Sequence, residues 1–139
     1  MPIIVVARLR LRHPSLLDEF FTQAAAVIEQ AQNTDGNLGV DALAEAHDVW
    51  WDVTAWQGRE HIETFMNTEP HLSTRGLADH LCDEATFVDW EQDTADLPDW
   101  QTSWRRLVAD GQSATLPNPS DANETRAFPA PVEPPASVA

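Results

Sequence analysis

Apolar residues alternate through residues 3–11, IIVVARLRL, with Ile3, Val5, Ala7, Leu9 and Leu11 on one side and Ile4, Val6, Arg8 and Arg10 on the other. A period of two is the signature of a strand. Pro14-Ser15 then opens a helix, with Asp18 and Glu19 near the positive end of its dipole. Leu17, Phe20, Phe21, Ala24, Val27, Ile28 and Ala31 recur at helical spacing, so one stripe is expected to be buried. Asn33-Thr34-Asp35-Gly36 ends that helix, with Gly36 placed for a left-handed conformation.

A second strand is expected over about Leu38 to Ala46, and His47-Asp48 can turn it into a third. In the third strand Trp50, Asp52, Thr54 and Trp56 share one face, and Val49, Trp51, Val53 and Ala55 the other. One face is purely apolar; the mixed one suits a pocket wall. A helix follows from about Gly58 to Asn67, burying Ile62, Phe65 and Met66. Pro70 interrupts it, because proline lacks an amide hydrogen and clashes with the preceding turn. Another helix, about His71 to Cys82, buries Leu77, Ala78 and Leu81, and Ala85 to Glu91 forms the fourth strand.

The order β-α-β-β-α-β predicts an α+β, ferredoxin-like domain with a four-stranded antiparallel sheet and helices on one face only. The other face is expected to carry Ile4, Val6, Trp50 and Trp56, an apolar patch costly in a monomer, so a homodimer with facing sheets is expected. After the fourth strand, Trp100 and Trp104 lie one helical turn apart, with Leu107 and Val108 extending the stripe. The domain is thus assigned to residues 1–110. Residues 111–139, rich in Pro, Ala, Ser and Asn, read as a disordered or extended tail.

Charge narrows the function. The 139 residues hold 23 acidic and 8 basic side chains, a formal charge of −15, with every basic residue an arginine. Such a surface repels phosphate backbones and anionic lipid, which argues against nucleic-acid and membrane-surface roles. Cys82 is the only cysteine, so an intramolecular disulfide and cysteine-based metal clusters are excluded. The opening MPIIVVARLRLRH has no secretion-signal pattern, which points to a soluble cytoplasmic protein, and the Asn123-Glu124-Thr125 sequon is read as chance.

The strand ending in Trp56, the acidic helix start Arg59-Glu60, then Phe65-Met66 and Pro70-His71 resemble the dimeric α/β-barrel superfamily containing antibiotic-biosynthesis-type monooxygenases. The resemblance covers roughly residues 3–91. FVDW followed by LPDW, at Leu97 to Trp100, is similar to relatives of spheroidene monooxygenase. Two departures stand out. Haem-degrading members use an Asn on the first strand and a Trp–His pair on the second helix, where this chain has Arg8 and Arg10, and Phe65. Polyketide oxygenases commonly use a set with tyrosine, which this chain lacks.

Arg8 or Arg10 is expected to reach Asp52 across the sheet, either as a structural ion pair or as a guanidinium that binds a ligand anion. His71, after Pro70, is a candidate base or a residue hydrogen-bonded at the helix start. Trp50 and Trp56 lie about 20 Å apart along one strand face, so they line two ends of a cavity or pack in a core. The reading reached is an oxygenase-like enzyme for an aromatic or polyketide-like small molecule. Its expected catalytic residues are His71 and Arg8, with Arg10, Trp50, Asp52 and Trp56 binding substrate between the sheets. No cofactor or metal is expected; haem held by His71 and a non-catalytic ligand-binding dimer are the alternatives.

Overall fold

The first strand, β1 (Ile3–Leu11), lies inside the sheet because both of its sides are apolar over Ile3 to Ala7. In this computed structural model, which describes residues 1–45 and 48–131, β1 is flanked by β3 (Val49–Trp56) and β4 (Cys82–Glu91). A short 3-10 turn (Pro14–Leu16) leads into α1 (Leu17–Gln32), and β2 (Asn37–Glu45) pairs with the outer side of β3. Helices α2 (Arg59–Met66) and α3 (His71–Leu81) are separated at Pro70, and α4 (Trp100–Asp110) follows β4. The order across the sheet is β2-β3-β1-β4-β5, with antiparallel neighbours throughout. This is the expected ferredoxin-like α+β arrangement, with an added two-residue strand, β5 (Gln112–Ser113), at one edge. The sheet stays open and is not closed into a barrel.

Gly36 adopts φ +87°, the left-handed conformation its sequence position suggested. It also lies flat against His61, whose Cγ would be 2.1 Å from an added Cβ, so two independent demands select glycine there. The proposed turn residue His47 lies outside the described residues.

Register corrects the assignment of faces. Ile4 pairs with Ala55, Val6 with Val53 and Arg8 with Trp51, so these share one side of the sheet. Trp50 pairs with Leu9, and Trp56 with Ile3, on the opposite side under α1, α2 and α3. Trp50 and Trp56 therefore do not belong to the face carrying Ile4 and Val6. Nor is that face bare. Ile4, Val6, Leu43, Trp51, Val53, Ala55 and Val88 pack with Leu107 of α4 and with Phe128, while Leu97, Trp100, Trp104 and Val108 close the edges.

Where the sequence suggested a loose tail, residues 111–131 run back over the domain. They form β5 and a one-turn helix, α5 (Asp121–Thr125). Leu116, Asn123 and Phe128 are buried. Asn123, the sequon asparagine, is used up internally: its Oδ1 accepts from Ala85 N and its Nδ2 donates to Ala114 O. No helix among the described residues is long and apolar enough to cross a membrane.

Candidate functional site

The sheet separates the expected site residues into two groups. Arg8 and Arg10 project to the α4 side, and Asp52 to the α1–α3 side, because Asp52 pairs with Ala7 rather than with an arginine. The expected contact between Asp52 and either arginine is therefore absent. Arg8 instead donates from Nη1 to Glu84 Oε1 at 2.6 Å, and the two residues are only 3% and 1% exposed. Arg10 Nη1 lies 2.8 Å from Glu84 Oε2, which also accepts from Ser120 Oγ at 3.0 Å. The Arg8 guanidinium lies over the Phe128 ring at 4.2 Å and near Trp51 at 5.7 Å. Both arginines are thus held by charge pairs, and Arg8 is enclosed by its own chain. A chamber between two sheets that Arg8 looks into is not what the fold builds.

Glu84 was missed because it precedes the stretch that reads as the fourth strand. The signal is present in hindsight: Glu84, Thr86, Val88 and Trp90 alternate onto one face, and a carboxylate at such a position needs a cation.

The helix side holds the more chemically informative arrangement. Its core divides into two apolar clusters, one around Trp50, Phe20 and Leu81, the other around Trp56, Ile62 and Phe65. Asp52 and Thr54 lie between Trp50 and Trp56 on the same strand face. Trp50 Nε1 donates to Asp52 Oδ2 at 3.0 Å, and Trp56 Nε1 donates to Thr54 Oγ1 at 2.8 Å. The neighbours of Asp52 across the sheet are Ala7 and Ala42. Asp52 keeps partial exposure although it sits on an internal strand beneath helices. Loss of hydration pushes its carboxyl up to about 6, only partly offset by the Trp50 hydrogen bond.

His71 sits at the other end of this layer. Its ring packs on Phe65 at 4.6 Å, which in turn packs on Trp56 at 5.2 Å. Its amide donates to Gln30 Oε1 at 2.8 Å, and its Nδ1 lies 3.3 Å from Met66 O. Burial, and secondarily the positive charge of Arg75, lowers its pKa, with the Met66 contact acting the other way. Gln23 and Thr74 meet on facing helices at 3.3 Å, so α1 and α3 are also joined by polar contacts. Gln23, Gln30 and Thr74 were not anticipated, since each sits beside an apolar stripe and reads as its solvated border.

Trp50 is boxed by Phe20 at 5.6 Å and Phe21 at 6.0 Å, both edge-on. Beside it is a cavity of about 10 Å³, lined by Leu17, Phe20, Phe21 and Trp50 among others, with room for roughly one water. A larger open groove, about 420 Å³, lies near Asp35, His61, Thr64 and Thr68 and includes none of the expected site residues.

An open antiparallel sheet with α1, α2 and α3 over one face defines a ferredoxin-like α+β domain. The chain belongs to the antibiotic biosynthesis monooxygenase family, whose sequence profile matches residues 2–76. Solved structures agree at the level of fold. Rv0793 from Mycobacterium tuberculosis is 18% identical with a TM-score of 0.61, over 69% of this chain and 100% of that one. PA3566 from Pseudomonas aeruginosa is 17% identical with a TM-score of 0.59, over 67% and 95%. A variant of SnoaB, a cofactor-independent oxygenase from Streptomyces nogalater, is 12% identical with a TM-score of 0.55, over 67% and 94%. None of the curated proteins matches this sequence.

Proposed function

We propose that this chain is an oxygenase-like enzyme for an aromatic or polyketide-like small molecule, working without an organic cofactor. Its reaction site is the helix-side layer around Asp52, within a single chain. Family membership and the cofactor-independent oxygenase among its structural neighbours support the general class. The observation that carries the site is Asp52 itself: a carboxylate on an internal strand, flanked by alanines, held by Trp50 and still touched by solvent.

A base with a pKa of about 6 is ionised at neutral pH yet is stronger than an ordinary aspartate. It takes a proton from a phenol or from the acidic carbon of its keto tautomer. The electron-rich anion attacks dioxygen, and the proton returns to the peroxide so formed. Loss of water from the resulting hydroperoxide leaves a carbonyl, so one oxygen atom stays in the product and the other leaves in water. The chain supplies positioning and electrostatics. A ring-sized substrate requires Phe20 and Phe21 to move away from Trp50, beside which lies the water-sized cavity.

In this reading Arg8 and Arg10 are structural, and His71 positions the Phe65–Trp56 edge. The haem alternative would use His71 Nε2, since its Nδ1 faces Met66 O and its ring lies against Phe65. The test is oxygen uptake with a panel of anthrones and hydroquinones. Asp52→Asn should lower turnover by about 10²-fold or more and remove a rate increase centred near pH 6. His71→Ala should retain turnover within a few-fold. Unchanged turnover in Asp52→Asn would dismiss the assignment.

A further inference from the structure

We propose that the open groove between the ends of α1 and α2 binds a small organic cation with two or more amino groups, an alkyl polyamine by chemical class. The proposal is independent of the oxygenase reading, because the groove includes neither Asp52 nor any other residue assigned to that reaction.

The groove has fixed walls. Asn33, Thr34 and Asp35, which follow α1, form one of them, and His61, Thr64 and Thr68 form the other. Two contacts set their separation. Gln30 Nε2 reaches from α1 to both Phe65 O and Thr68 O at 3.0 Å, and the His61 ring packs on Gly36, where a Cβ would meet it at 2.1 Å. The space between the walls, about 420 Å³, is that of a small-molecule site.

The lining selects the ligand's charge. Thr34 Oγ1 donates to Gln30 O at 2.7 Å, Thr64 Oγ1 to Glu60 O at 3.0 Å, and Thr68 Oγ1 to Thr64 O at 2.6 Å. Each hydroxyl has given its one proton to a backbone carbonyl and offers a ligand only lone pairs. Asn33 Nδ2 donates to Glu29 O at 2.9 Å, which leaves Oδ1 as its acceptor, and Asp35 adds an exposed carboxylate. Of the six side chains only His61 can take a positive charge, and its Nε2 lies 3.6 Å from Glu60 Oε1. A groove of acceptors calls for a ligand of donors.

Backbone electrostatics point the same way. Both helices end at the groove, α1 at Gln32 and α2 at Met66, and neither has a basic residue in its last turn. Two negative dipole ends thus meet there without a cation of the chain's own. Thr64 and Thr68 are about 6 Å apart at helical rise, a separation that two amino groups on a short alkyl chain can span.

The experiment titrates the intact, isotope-labelled chain with putrescine and follows backbone amide resonances. Sodium chloride at about 0.15 M screens diffuse attraction to the surface. Amides of residues 33–36 and 61–68 should shift together and saturate, and the uncharged diol of the same chain length should move none of them. Asp35→Asn should weaken binding about fivefold, the factor that a unit charge about 4 Å away carries in water. Thr64→Val should weaken it about threefold or more. Glu19→Gln removes the same charge at the opposite end of α1 and should bind as the native chain does. Shifts that are absent, that spread over the acidic surface without saturating, or that the diol reproduces would overturn the proposal. So would equal losses of affinity in Asp35→Asn and Glu19→Gln, or native affinity in both Asp35→Asn and Thr64→Val. All three substituted side chains are exposed, and the native-chain titration decides even where a variant fails to fold.

Discussion

Ionising Asp52 places a charge in a layer where its hydrogen-bonding help is the Trp50 indole. Its folded pKa, about 6, stands above the usual aspartate value, so the folded state holds this proton more tightly than the unfolded chain. The stabilisation associated with the proton is complete below about pH 4 and is lost as pH rises through 6. The difference is on the order of 2–3 kcal/mol. Asp52→Asn should therefore be more stable than the native chain at pH 8 and nearly equal to it at pH 4, as measured by urea unfolding at both pH values. A constant difference across that range would show that the carboxyl titrates normally. Glu84 poses the opposite problem, since its charge is buried but paired with Arg8 and Arg10. Glu84→Gln leaves Arg8 enclosed without its anion and should destabilise by about 3–5 kcal/mol. Replacing both Arg8 and Glu84 with apolar residues of similar size should cost less than Glu84→Gln alone, which a double-mutant cycle would register.

At the scale of elements, hydrophobic periodicity revealed the strands and helices because each buries a clear face. Residues 3–11 and 71–81 are examples, found within a residue of the expected bounds. Periodicity could not reveal which face of β1 joins which face of β3. Both sides of Ile3 to Val6 are apolar, as are Val49, Trp50 and Trp51, and a shift of one residue exchanges the faces. That single ambiguity moved Trp50, Asp52 and Trp56 to the wrong side and paired Asp52 with Arg8. The docking of residues 111–131 was illegible for a different reason. It rests on few apolar anchors, Leu116 and Phe128, and otherwise on hydrogen bonds such as those of Asn123, which leave no periodic trace. Asn123→Ala leaves the Ala85 amide and Ala114 carbonyl without that partner and should cost about 1–3 kcal/mol. Leu107→Ala should cost about 2–5 kcal/mol by opening a cavity above Val6 and Trp51. Urea midpoints with an unchanged slope would confirm that both act on stability rather than on the extent of unfolding.

For the whole molecule the dominant electrostatic fact is the excess of 15 negative charges on 139 residues. Folding crowds those charges together, and their mutual repulsion acts over distances that salt screens, about 10 Å at 0.1 M ionic strength. The attractive pairs respond differently. Arg8 with Glu84 is enclosed, so salt barely reaches it, whereas Arg59 with Asp89 is exposed and contributes at most about 1 kcal/mol. Screening thus removes more repulsion than attraction. Raising sodium chloride from about 10 mM to 0.5 M at pH 7.5 should increase the thermal midpoint by several degrees, and most of the rise should occur at the low end, where the screening length shortens fastest. Chloride is the appropriate anion, because sulfate also strengthens apolar burial by exclusion from the surface and would mask the charge effect. At pH 5 the same titration should give a smaller rise, since Asp52 then carries its proton and part of the surface charge is neutralised. A midpoint that falls with added salt would mean that exposed pairs such as Arg59–Asp89 outweigh the general repulsion, contrary to the balance drawn from their exposure.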